Sequence, residues 1–224
     1  DILAKVVKNM RKAIEEAGGE VRFHCLATDF HVFDEEDGVP RLLSLTVQNV
    51  LTGETEEFPA DLAVLAVGHS ARDTFYRLQE RGLRMQAKSF AVGVRVEHSQ
   101  HFINESQYGA GWEGKLPAAP YKLTAKLPDG RGVYTFCMCP GGYVVNASSE
   151  EGMLAVNGMS CSKRDGENAN SAVIVTVTPE DFGSNDALAG IEFQRKLETL
   201  AFREGKGKIP VQRFEDYCKN RTSE

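Results

Sequence analysis

The stretch Asp61-Leu-Ala-Val-Leu-Ala-Val-Gly-His-Ser-Ala-Arg-Asp73 decides the reading of the fold. Its first part, 61–67, is a nearly uninterrupted apolar run, the pattern of a short strand buried on both faces. Gly68 then breaks the run. Ser70 stands where an N-cap belongs, with Asp73 three residues on as its reciprocal partner. The spacing predicts a helix from there to about Arg81, stopped by Gly82. A buried strand, a glycine and a helix in that order are the unit of an α/β layer. The same turn is the best local candidate for a cofactor contact. A helix N-terminus presents free N–H groups, Gly68 lets a ligand approach the backbone, and His69, Ser70 and Arg72 lie beside it. An ordinary capped helix after a strand is the alternative reading of the same residues.

Upstream, Ile2, Leu3, Val6, Val7, Met10 and Ile14 recur at helical spacing, and Gly18-Gly19 supplies the stop. Residues 21–33, as one strand or two short ones, 42–51 and 55–58 read as strands of a meander, with turns at 34–38 and 52–53. Downstream the character changes. A strand is expected at 90–96, followed by an irregular stretch through 120. A hairpin follows at 121–127 and 132–139, around Pro128-Asp-Gly130. Further strands are expected at 143–147, 153–156 and 172–178, and a helix at 186–203. The second half therefore reads as an antiparallel sheet with one helix.

Composition sets the outer bounds. The 224 residues are 42% hydrophobic and 26% charged, enough for a sizeable core. No apolar run approaches the ~20 residues of a membrane-spanning helix. The net charge of −6 argues against a nucleic-acid footprint spread over the surface. Five irregularly placed cysteines do not make a disulfide framework and point to a reducing, cytoplasmic setting.

Several motifs compete for chemistry. Gly109-Ala-Gly111-Trp-Glu-Gly114 matches a dinucleotide fingerprint by letter, but Lys115-Leu-Pro-Ala-Ala-Pro120 forbids the helix that must follow, so it reads as a loop. His98 and His101 lack a supporting carboxylate cluster and read as loop histidines. Strand alternation would put Cys137 and Cys139 on one face, either as a redox or metal pair or as free thiols at a strand end. Residues 164–171 concentrate side-chain amides and charges between two strands: a binding loop or a polar turn. No metal site is expected, and no catalytic acid or base stands out.

Taken together, Gly68-His-Ser-Ala-Arg-Asp73, Phe90-Ala-Val-Gly-Val-Arg-Val-Glu-His98, Phe136-Cys-Met-Cys-Pro-Gly-Gly-Tyr-Val144, Asn157-Gly-Met-Ser160, Arg164-Asp165, Asn168-Ala-Asn-Ser171 and Leu188-Ala-Gly-Ile-Glu-Phe-Gln-Arg195 resemble the bacterial FAD-dependent dehydrogenases. These flavoproteins carry a Rossmann-like FAD domain with an inserted second domain, and their substrate is unassigned. The resemblance implies α/β plus α+β architecture. Residues 1–96 would be part of the FAD domain with its meander, 97–203 the inserted substrate-side domain, and 204–224 a segment returning toward the FAD domain. It places the pyrophosphate loop before a segment like residue 1 and a closing FAD segment after one like residue 224. FAD is the implied cofactor of the whole protein, held weakly or not at all by this stretch alone. The backbone of Leu26, Ala27 and Thr28 would pass the adenine, although relatives more often have Val at position 27. Gly68, His69, Ser70 and Arg72 would lie near the phosphate and ribose. Cys137, Cys139, Arg164, Asn168, Asn170 and Ser171 would face flavin or substrate. The implied activity is flavin-mediated hydride or electron transfer to or from a small molecule. The alternatives are a small-molecule or protein binding module without redox chemistry and, against the acidic charge, a flavoenzyme acting on RNA.

Overall fold

The periodic apolar residues of the N-terminal segment do form a helix, α1 (Ile2–Glu16), ended by Gly18 in a left-handed conformation. The computed structural model describes residues 2–34 and 39–223. Within them the chain divides into two units, Asp1–Arg84 and Met85–Glu224. The turn expected at 34–38 falls on 35–38, outside the described residues.

In the first unit, β1 (Cys25–Asp34), β2 (Pro40–Asn49) and β3 (Thr55–Pro59) make the expected antiparallel meander, in the order β1-β2-β3. Helix α2 (Arg72–Glu80) follows, and the Arg81 guanidinium just beyond it donates to Asp29 of β1 at 2.7 Å. That pairing holds the Asp29 carboxyl well below the usual carboxylate range.

Two expectations for this unit fail. Residues 61–67 are not a strand, and Leu62 and Val64 are 81% and 82% exposed. Apolar composition specifies a preference for burial, whereas a strand exists only where a neighbouring strand takes its N–H and C=O groups. Nor does Ser70 cap α2. The cap position is Ala71, which makes no side-chain cap bond. The apolar face of α1 is likewise open: Ile2, Leu3, Val6, Val7, Met10 and Ile14 are all exposed.

The second unit is built on a four-stranded antiparallel sheet, β4-β9-β6-β5, formed by β4 (Phe90–Ser99), β5 (Thr124–Lys126), β6 (Gly132–Cys139) and β9 (Asn168–Val177). Strand β4 runs through the boundary expected at 96/97 and pairs along its whole length with β9, so it belongs entirely to this unit. The register fixes two faces, because directly opposed side chains share one. Phe90, Val92, Val94 and Val96 lie with Val173, Val175 and Val177 on one side. There Phe90 stacks on Phe182 at 5.0 Å between ring centroids, and Phe193 closes the cluster edge-on to Phe90. These last two rings come from α4 (Pro179–Phe182) and α5 (Ala189–Glu204). The opposite face carries Arg95, Glu97, Asn170, Ala172 and Phe136. Against it lies the separate two-stranded hairpin β7 (Gly142–Asn146) and β8 (Val156–Ser160). A short helix, α6 (Phe214–Cys218), ends the unit.

The second unit corrects four more readings. The stretch after β4 is helix α3 (Gln100–Tyr108), hidden in the sequence because its inward residues, Gln100 and Asn104, are polar. The strand expected at 153–156 lies instead at β8. Asn168, Asn170 and Ser171 are not loop residues but open β9, with Asn170 and Ser171 fully buried. A register irregularity between Phe136 and Cys139, with Cys137 at φ 49°, breaks the alternation that would have put Cys137 and Cys139 on one face. Every described strand pair is antiparallel, so the fold is α+β. Among the described residues no helix is long and apolar enough to cross a membrane.

One ion pair fastens the β5–β6 turn to the start of α4. Arg131 reaches both carboxylate oxygens of Asp181, at 2.9 and 3.0 Å, while Asp181 closes a capping box with Thr178. The Arg131 hydrogen bonds, then the Thr178 N–H, pull the Asp181 carboxyl down to about 2. A carboxyl lowered by folding adds stability above its ordinary value near 4, and that stability is lost as pH falls toward 2. Asp181→Asn should therefore flatten the acid limb of the stability profile between those values and leave its neutral-to-alkaline shape unchanged. Urea melts across pH test this. An unchanged acid limb would show that the pair contributes nothing.

Candidate functional site

A valine-rich strand that suddenly places Arg95 and Glu97 at alternate positions must send both to its polar face. There the Arg95 guanidinium donates to Asn170 Oδ1, to the Cys137 carbonyl at 3.2 Å and to Asn157 Oδ1 at 3.2 Å. All three acceptors are neutral. Glu97 is engaged elsewhere: one oxygen accepts from the Val144 N–H at 2.6 Å, the other from Asn168 Nδ2 at 2.7 Å. Glu97 thus ties the sheet to the hairpin, and Arg95 ties it to the bulge at Cys137. Gly158 of β8 faces this cluster at close range. A Cβ there would overlap the Arg95 and Asn170 side chains and lie 2.8 Å from Cys139 Sγ, so any larger residue would push these side-chain ends aside.

Asn170 is 0% exposed, and its Nδ2 has no hydrogen-bond partner. Its Oδ1 accepts from Arg95, and a flip of the amide would set NH₂ against a guanidinium, so the orientation is fixed. The cluster is consequently rich in donors and short of acceptors.

On the other face, His98 and Tyr121 meet through a 2.8 Å contact between Nε2 and the phenol oxygen. Burial pushes the Tyr121 hydroxyl above its ordinary value, opposed by a hydrogen bond with Ser171 and by the Arg95 charge. His98 is therefore a paired strand residue, not a loop histidine. His101, on α3, packs against Trp112. Among the described residues no group of three or more His, Cys, Asp or Glu could hold a metal ion.

A third assembly joins the loops. Gln100 Nε2 donates to Asn104 Oδ1 at 2.8 Å and to the Ala119 carbonyl at 3.0 Å, and its Oε1 accepts from the Gly141 N–H at 2.8 Å. The Gln100 N–H donates to the Glu167 carbonyl, and Gly166 N–H to the Gly141 carbonyl. The Cys137–Gly142 turn, the 115–120 loop and the 164–167 turn are thereby one unit.

The structure thus brings Cys139, Asn168 and Asn170 together around Arg95 and Glu97, and adds the Cys137 carbonyl. Ser171 goes to the opposite face with Tyr121. Arg164 contributes its backbone, packed under Gly141, while its side chain stays exposed. All five cysteines are free thiols, four of them exposed and Cys139 half-buried. Arg95, Glu97, Gln100, Asn104, Tyr121 and Asn157 were not singled out from sequence. The signal available was a pair of charges inside a valine strand.

In the first unit Leu26, Ala27 and Thr28 sit on β1, an edge strand whose outer backbone groups have no sheet partner among the described strands. Gly68, at φ 75°, has open space beside it. These backbone features fit recognition of a nucleotide by main-chain groups. His69 is exposed and Ser70 half-buried. Arg72 is 5% exposed, which does not fit a surface cation reaching a phosphate.

Among known proteins, the chain is 48% identical along its full length to a protein of Clostridium beijerinckii described as an uncharacterized protein, and spans 40% of that protein's length. Residues 89–224 match the family model described as FAD-dependent protein, C-terminal domain-like. That match covers the β4–α6 unit from sheet to final helix, and the chain belongs to this family of FAD-dependent proteins.

Proposed function

We propose that the chain is the substrate-side part of an FAD-dependent oxidoreductase, with residues 85–224 forming the domain that meets the substrate and residues 1–84 a portion of a Rossmann-like FAD domain. The observation that carries the reading is the coincidence of the family's FAD dependence with a sheet face bearing a cation that has no carboxylate partner among the described residues and a buried, unsatisfied amide. When bound, the flavin supplies the hydride or electron transfer, and protein groups set position and electrostatics. The residues that would hold its nucleotide end are the edge backbone of Leu26, Ala27 and Thr28 and the turn at Gly68, His69 and Ser70. Arg72 would support that turn from behind. On the substrate side, Arg95, Asn170, Asn168, Cys139 and the Cys137 turn would position the reactant, with Ser171 and the Arg164 turn supporting them.

The open apolar surfaces give this reading a physical motive. The row from Ile2 to Ile14 on α1, together with Leu62 and Val64, is more apolar surface than a solitary unit usually leaves to water. In the whole protein these surfaces would pack against flanking segments of the FAD domain. The chain alone is accordingly expected to bind FAD weakly, and the product of the complete reading frame to purify yellow with a visible flavin spectrum. A colourless full-length product that takes up no FAD on reconstitution would sink the proposal.

A further inference from the structure

The second unit presents one row of side chains that its packing leaves unused. Arg95 of β4 is opposed to Ala172 of β9, and Ala172 to Phe136 of β6, so the three lie in line across three strands on one face. Two strand spacings make that row about 10 Å wide. The next row, Gly93, Ile174 and Tyr134, extends the same face with no side chain on β4.

Each end of the row is chemically incomplete. Among the described residues Arg95 has no carboxylate partner; it donates to two amide oxygens and one carbonyl. Of its five donors three are used, and both Asn170 Nδ2 hydrogens lack acceptors. A half-buried cation held by neutral oxygens retains its full charge for an incoming anion. At the other end Phe136, although on a strand, is 61% exposed. Between them Ala172 is a low, half-buried floor. The hairpin meets the row at its Arg95 end, where the Gly158 backbone packs against the Arg95 and Asn170 side chains, and leaves Phe136 exposed.

We infer that this row is a binding site for an aromatic monocarboxylate, with the carboxylate on Arg95 and the ring laid over Ala172 against Phe136. The inference deepens the proposed function by naming its substrate class, and rests on that reading only for the reaction that would follow binding. A carboxylate offers two oxygens to guanidinium donors and, unlike a small inorganic anion, can carry an apolar body. An apolar body is called for because the floor and far wall offer no polar side chain.

The test is calorimetry on the full chain, with and without FAD, using cinnamate, acetate and the neutral amide cinnamamide as probes. Cinnamate should bind saturably, acetate more weakly, and cinnamamide at least about tenfold more weakly than cinnamate. Arg95→Gln should weaken both acids about tenfold or more, with Arg95→Lys in between. Phe136→Ala should weaken cinnamate alone and leave acetate unchanged. If Arg95→Gln fails to fold, the Arg95→Lys and Phe136→Ala series carries the test. The inference is overturned if cinnamamide matches cinnamate, if the variants bind as the parent does, or if no probe binds in either state. Flavin uptake is scored separately, on the product of the complete reading frame. A full-length product without flavin, with carboxylate binding intact, would count against the flavoprotein reading alone, and the converse against this inference alone.

Discussion

Gly141→Ala is expected to destabilise the second unit by about 3–5 kcal/mol, close to the limit of what single substitutions do. Two costs add. Gly141 sits at φ 57°, where an L-residue pays roughly 1–2 kcal/mol. A Cβ there also overlaps the carbonyl of Arg164, a backbone atom that cannot swing aside as a flexible side-chain tip would. Relief requires the turn to part from residues 164–166, which breaks the Gly166–Gly141 hydrogen bond and draws the Gly141 N–H off Gln100. Gly183→Ala is the control. It has a left-handed conformation, φ 73° and ψ 13°, but open space around the new carbon, so it should lose only about 1–2 kcal/mol. Urea unfolding of both variants separates the clash from the dihedral cost. Equal losses would mean that the turn relaxes freely and that the three loops are not locked together.

The elements legible in the sequence were those whose pattern is local. Helix α1, the meander, the hairpin about Pro128-Asp-Gly130 and the long C-terminal helix follow from spacing and turn residues. What was not legible depends on partners distant in the chain. Residues 61–67 have the composition of a central strand but no described neighbour to pair with. Residues 168–171 have the composition of a loop, yet become buried strand because Glu97 and Arg95, more than seventy residues earlier, supply the hydrogen-bond partners of Asn168 and Asn170. Helix α3 escaped notice for a related reason. Its inward face is Gln100 and Asn104, chosen to satisfy backbone groups of remote loops, and an apolar-periodicity argument cannot see such a face.

The candidate site follows the same division. Family resemblance pointed to Cys137, Cys139, Arg164, Asn168, Asn170 and Ser171; Cys139, Asn168, Asn170 and the Cys137 carbonyl converge, whereas Ser171 and the Arg164 side chain do not. The residue they converge on is Arg95, inside the 90–98 motif that helps carry the resemblance. A charge in a strand of that kind is costly unless it is hydrogen-bonded, so its presence was itself the signal. The glycines argue likewise. Gly158, in Asn157-Gly-Met-Ser160, carries no signal of its own in the sequence, whereas the structure uses its missing side chain to seat one sheet on another.

The buried amide network yields the second large effect. Gln100→Leu preserves the volume of the side chain but strands the Gly141 N–H, the Ala119 carbonyl and one acceptor site on Asn104 away from water. With roughly 1–3 kcal/mol for each unsatisfied buried group, partly relieved by relaxation, the variant should lose on the order of 3–5 kcal/mol. Gln100→Glu distinguishes a hydrogen-bond role from a packing role. One carboxylate oxygen can still accept from Gly141, but the other would face the oxygens of Asn104 and Ala119, which only a protonated acid can satisfy. Folding should therefore raise the carboxyl above its ordinary value near 4, so that the variant is most stable in acid and weakens as pH rises through its folded value. This slope is opposite in sign to the one that Asp181 contributes in the parent. Urea melts from acid to neutral pH would show it, and a Gln100→Glu variant as stable at neutral pH as in acid would mean that Gln100 fills space and does not tie the three loops together.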